Sequence, residues 1–146
     1  MKKIRLFSFA ILLVCLLNAC SKEEIRNVED VKLTFWEGSE VQLEDVVLED
    51  EKEINLFVQS TNKAQVLDKE KFIKTPPLLT YDIEMEDESL RAFHLWIAEK
   101  EEGYIQSLHT EKSVTSKLEE GSIEDLMKLL EEKGEIQFLK EVVFEK

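Results

Sequence analysis

The chain has 146 residues, of which 43% are hydrophobic and 35% charged, with a formal net charge of −13 at pH 7. A surface this acidic repels phosphate backbones, so nucleic acid is excluded as a partner. It also repels an anionic bilayer, so membrane attachment by charge is excluded too.

The chain opens Met1-Lys2-Lys3-Ile4-Arg5, three positive charges ahead of an apolar run from Leu6 to Leu17 broken only by Ser8. This is the charged region and apolar core of an export signal. The run is about twelve residues long, against roughly 20 for a helix that crosses a bilayer. It ends Leu17-Asn18-Ala19-Cys20, which resembles the bacterial lipobox. The resemblance implies cleavage between Ala19 and Cys20 and a diacylglyceryl thioether on Cys20. Two acyl chains make such an attachment stable, at about 0.8 kcal/mol per buried CH₂. The alternative, ordinary secretion after cleavage at Ala19, leaves Cys20 an odd thiol in an exported protein.

Residues 1–19 are thus read as a lipoprotein signal, 20–29 as a lipidated tether and 30–146 as one domain. Loss of Lys2, Lys3 and Arg5 leaves 16 basic and 32 acidic residues, a net −16. Cys15 leaves with the signal, and acylation occupies Cys20. That excludes thiol catalysis and cysteine-based zinc sites from the mature chain.

Val31-Lys32-Leu33-Thr34-Phe35-Trp36 starts with alternation and is rich in β-formers, which predicts a first strand ending at Gly38. Residues 40–48 lean towards strand. Asp50 caps a helix over about 51–62, with Glu53 at the capping-box position and Ile54, Phe57, Val58 and Thr61 on one stripe. Pro76-Pro77 forbids further helix. Leu79, Tyr81, Ile83 and Met85 then alternate with Thr80, Asp82, Glu84 and Glu86, a strand with one apolar and one acidic face. A turn at Asp87-Glu88-Ser89 leads to a partner strand through Phe93, Leu95 and Ile97. After a turn at 99–103, segments 104–109 and 114–118 complete a meander. Ser122 is read as the cap of a second helix with Ile123, Leu126, Leu129 and Leu130 inward and Gly134 at its end. Phe138 to Phe144 is read as a last edge strand. The order predicts an α+β domain, an antiparallel sheet of about four to six strands with two helices packed on one face; an open sandwich is the alternative.

The helix Glu53-Ile54-Asn55-Leu56-Phe57, the strand Leu79-Thr80-Tyr81-Asp82-Ile83, the segment Phe93-His94-Leu95-Trp96-Ile97 with Gly103-Tyr104-Ile105, and Ser122-Ile123-Glu124-Asp125-Leu126 together resemble the YhfM-like small lipoproteins of Bacillus and relatives. The resemblance covers roughly residues 45–131. It implies a Gram-positive lipoprotein and carries over no catalytic residue.

No P-loop, HExxH, G-x-S-x-G or dinucleotide fingerprint is present, so no catalytic residue, metal ligand or cofactor is assigned. The candidate partner or ligand surface is His94, Trp96, Asp82 and Glu84. An exposed Trp96 would make a mixed patch with Ala92, His94 and Ala98; the favoured reading puts a helix over that face and Trp96 in the core. His94 and His109 are read as surface histidines. The acidic residues Asp82, Glu84, Glu86, Asp87 and Glu88 are read as a solvated face, since alternate residues of one strand do not wrap an ion. These observations favour a non-enzymatic lipoprotein on the outer side of the cell membrane that binds another envelope protein. A small-ligand or cation-binding lipoprotein is the alternative, and a cell-wall hydrolase the remote one.

Overall fold

The computed structural model describes residues 23–67, 71–108 and 113–146, and all but the side chain of Leu43 within them. The signal, Ala19, Cys20 and His109 lie outside the described residues.

Alternation sets the sheet. Among the described residues seven strands run β1 (Val28–Glu37), β2 (Glu40–Leu48), β3 (Gln65–Val66), β4 (Leu79–Met85), β5 (Leu90–Ala98), β6 (Glu102–Ser107) and β7 (Thr115–Lys117). They form one antiparallel sheet in the order β2-β1-β4-β5-β6-β7-β3. The sheet therefore exceeds the expected four to six strands. The reason is local: β2 is regular enough to pair, and the two residues of β3 add an edge beyond β7. One sheet backed by helices also replaces the open sandwich.

Val31 and Leu33 of β1, Leu79, Tyr81 and Ile83 of β4, Phe93, Leu95 and Ile97 of β5 and Ile105 of β6 are buried in one cluster. The helices that cover them are α1 (Glu51–Lys63) and α2 (Glu120–Lys133), which share that cluster through Ile54, Phe57 and Val58, and through Ile123, Leu126, Leu129 and Leu130. Asp50 caps α1 as the sequence indicates, Oδ1 accepting from the N–H of Lys52 at 2.9 Å and of Glu53 at 3.3 Å, a contribution of about 1 kcal/mol. Glu53 itself turns to Lys133 at 2.7 Å and ties the two helices together. The start of α2 differs from expectation. The helix begins at Glu120, two residues before Ser122, and Glu119 at its N-cap makes no side-chain capping bond. Gly134 ends it in an extended conformation (φ 174°) rather than a left-handed one. Gly103 matters more: a Cβ there would stand 2.9 Å from Ile123 Cγ1 and 3.0 Å from Leu118 Cδ1, so the missing side chain is what lets α2 approach β6.

At the centre of the helix-side core, Phe57, Tyr81 and Phe93 follow one another with ring centroids 5.1 Å apart, the first pair tilted at 55° and the second stacked at 17°. The Tyr81 hydroxyl lies 2.8 Å from Thr61 Oγ1, which itself donates to the Phe57 carbonyl at 2.7 Å. Tyr81 therefore donates to Thr61, and its burial pushes the phenol pKa well above the ordinary value.

Two irregular stretches complete the body. β2 carries a bulge: Thr34 pairs with Asp45 but Trp36 with Val41, so β2 fits two extra residues between those pairs. Residues 138–144 form no strand. They make only two isolated bridges, Leu139 beside Ala98 and Phe144 beside Ile73.

Candidate partner-binding surface

Residues that alternate with the core positions face away from the helices. Register aligns them in rows: Thr34, Thr80, His94 and Gln106 in one, Lys32, Asp82 and Ala92 in the next, with Trp96 opposite Tyr104 in a third. This outer face has two halves.

Over β5 and β6 the face is covered. Trp96 is 2% exposed, which agrees with its reading as a buried residue, but no helix does the covering. The cover is a strap made of residues 71–77, crossing back from the β3 side to β4, and of the C-terminal segment from Leu139. The Trp96 indole N–H donates to the Thr75 carbonyl at 2.7 Å. Phe144 sets its edge on the Tyr104 ring at 5.0 Å. Lys74 N–H donates to Val143 O at 2.7 Å, Glu145 N–H to Phe72 O at 2.9 Å and Val143 N–H to Thr75 Oγ1 at 2.8 Å, so the two parts of the strap brace each other. The Tyr104 hydroxyl donates to Glu102, and burial together with that carboxylate pushes its pKa up to about 12.

Over β1, β4 and the middle of β5 the face is open. Trp36 and His94 meet edge to face at 5.5 Å, and His94 meets Trp96 the same way at 5.7 Å. Thr80 holds the group together: its Oγ1 accepts the Trp36 indole N–H at 2.9 Å and shares a hydrogen bond with His94 Nδ1 at 3.0 Å. Partial burial lowers the His94 pKa, so the ring is neutral at pH 7. Beside it Lys32 Nζ reaches Asp82 at 3.4 Å and Asp45 at 3.7 Å. The Asp82 contact, then the Asp45 charge, raise the lysine pKa. Thr34 Oγ1 donates to Asp45 at 2.7 Å.

Of the four residues singled out from sequence, Asp82, Glu84 and His94 lie on this open half, and Trp96 sits beneath the strap at its border. Sequence reasoning left out Lys32, Thr34, Asp45 and Thr80. Alternation within Val31–Trp36 carried the signal for two of them, since it places Lys32, Thr34 and Trp36 on one face. The acidic cluster divides: Asp82 is paired with Lys32, whereas Asp87 forms a turn with Ser89, whose hydrogen bonds lower its carboxyl pKa. Elsewhere Glu101, Glu120 and Glu124 bring carboxylate oxygens within 4.8 Å of one another, all three exposed to water. No helix among the described residues is long and apolar enough to cross a membrane.

Fold and surface together define a small α+β domain on one antiparallel sheet, with one face sealed by helices and the other half strapped, half open. The family model described as YhfM protein matches residues 27–135, from just before β1 to just past α2. The chain belongs to that family. No curated protein and no solved structure matches it.

Proposed function

We propose that the mature protein is a lipoprotein of the outer side of the cell membrane, anchored through Cys20, and that it binds an envelope protein without catalysing a reaction. The signal and lipobox residues, Lys2 to Cys20, support the anchoring. The absence of catalytic motifs from the sequence supports the non-enzymatic role. The observation that carries the binding role is the open half-face, where Trp36 and His94 are fixed by Thr80 beside Asp82, Asp45 and Lys32. Aromatic rings with one polar edge, held rigid before contact, lose little entropy on binding. A net charge of −16 selects a partner whose matching surface is basic. Cation binding at Asp82 is disfavoured, because Lys32 already neutralises that carboxylate.

A photo-crosslinker at Glu84, compared with one at Lys128 on α2, tests this in intact cells. The same membrane or wall-associated protein should be captured from position 84 and not from 128, and Trp36→Ala with His94→Ala should abolish the adduct. Equal capture from both faces, or none from position 84, overturns the assignment.

A further inference from the structure

Ile25 precedes β1, yet it is 6% exposed and belongs to the core cluster. One side chain grips its backbone at both polar groups. Asn62 Oδ1 accepts the Ile25 N–H at 2.9 Å, and Asn62 Nδ2 donates to the Ile25 carbonyl at 3.0 Å. A carboxamide used this way stands in for a neighbouring strand, offering one acceptor and one donor to a single residue. Contacts on either side extend the grip. Glu23 accepts from the Arg91 guanidinium, and the Asn27 carbonyl accepts the Glu86 N–H at 2.9 Å. Asn27 takes a left-handed conformation (φ 54°) that turns the chain into β1, a geometry asparagine tolerates better than most residues. The backbone is thus held to the body from Ile25, and the exposed Glu23–Arg91 pair adds only a weak contact before it. Ser21 to Glu24 separate Ile25 from Cys20.

We infer that this clasp is a positioning device: it shortens the link between lipid and body so far that one chosen end of the sheet is held at the bilayer surface. The inference rests on the lipoprotein reading above. Five residue steps from Cys20 to Ile25 reach about 18 Å at most. β1 has ten residues and spans about 33 Å. The end bearing Glu23, Arg91 and the β4–β5 turn therefore stays near the headgroups, while the β1–β2 hairpin tip at Gly38 and Ser39 stands a strand length away. Acidic side chains are exposed at both ends, Glu86, Asp87 and Glu88 at the anchored end and Glu37, Glu40 and Glu44 around the tip, so the short link, not charge, chooses which end faces the leaflet. The open half-face then stands perpendicular to the membrane, presented sideways to neighbouring proteins.

The test uses the lipidated protein purified from membranes and reconstituted in vesicles of phosphatidylcholine and phosphatidylglycerol. Once Cys20 is a thioether the mature chain has no other cysteine, so Glu88→Cys and Ser39→Cys each accept one fluorophore. Nitroxide-headgroup lipid should quench position 88 several-fold more than position 39. A ten-residue Gly/Ser insertion between Lys22 and Glu23, which leaves the clasp itself intact, should bring the two towards equality, as should Asn62→Ala. Equal quenching at both positions in the parent protein, on a chain whose mass shows the lipid, overturns the positioning inference alone. A mass showing an unmodified Cys20 overturns the lipoprotein reading and the inference with it.

Discussion

The two halves of the outer face belong to one sheet and share the same alternation, yet one is sealed and the other open. Over β5 and β6 the outward positions are Trp96, Tyr104 and Ala98, large or apolar groups that leave little for water to solvate. Over β1 and β4 they are Lys32, Thr34, Thr80, Asp82 and Glu84, which water serves well. The strap crosses where desolvation is favourable and stops where it would bury charge. Irregular chain can cover a sheet if it brings acceptors to the buried donors, as the Thr75 carbonyl does for Trp96.

The largest expected break in this contrast is Trp96→Ala. It should cost about 3–5 kcal/mol of unfolding free energy, the range for a buried Phe or Trp cut to alanine. Amide exchange in 71–77 and 139–145 should quicken first. Trp36→Ala, on the open half, should cost about 1 kcal/mol or less in the same denaturant titration. Similar losses at the two tryptophans would erase the distinction.

Gly103→Ala probes the sealed helix side instead. Its Cβ would meet Ile123 and Leu118 at 2.9 and 3.0 Å, so a loss of about 1–3 kcal/mol is expected from overpacking. A smaller change runs the other way. Glu101 sits in the left-handed region (φ 58°) at the β5–β6 turn, and Glu101→Gly should stabilise by about 0.5–1 kcal/mol by relieving that strain. Thermal melts of the two glycine-related variants should therefore move in opposite directions.

The smallest effect is titration of His94. Burial lowers its folded pKa below the ordinary 6.5, so between the two values the unfolded chain binds the extra proton. The stability linked to this ring is complete above about pH 6.5 and is lost as the pH falls through the folded value. His94→Gln should flatten that slope near pH 6, well above the range in which the carboxylates titrate. An unchanged slope would place the ring in bulk water.

Much of the helix side was legible in the sequence because its signals are periodic. Asp50 followed by Ile54, Phe57, Val58 and Thr61 marks α1, and each of those four stripe residues is buried. The strict alternation from Leu79 to Met85 marks β4. The strap was not legible, since residues 71–77 and 138–146 repeat no pattern and make isolated contacts with partners far away in sequence. The start of the folded body is hidden from local patterning for a related reason. Val28 and Glu29 belong to β1, and Ile25 is held by Asn62, 37 positions further on, a pairing no local pattern announces. Ser122 drew attention as a preferred capping residue, whereas α2 begins on glutamates whose first turn is exposed to water. On the candidate surface, His94, Asp82 and Glu84 followed from strand parity, but the role of Thr80 depends on three strands meeting in register.

The extra residues in β2 bear on how crowded this protein can become. β2 is the long rim of the sheet, with Val41 and Val47 each 49% exposed. A neighbour trying to zip onto it would find an unbroken register only from Asp45 to Leu48 before the spacing slips. Four residues are too few to hold two molecules together, and glutamates punctuate the rest. Copies brought to high local concentration can thus collide often without fusing into one continuous sheet.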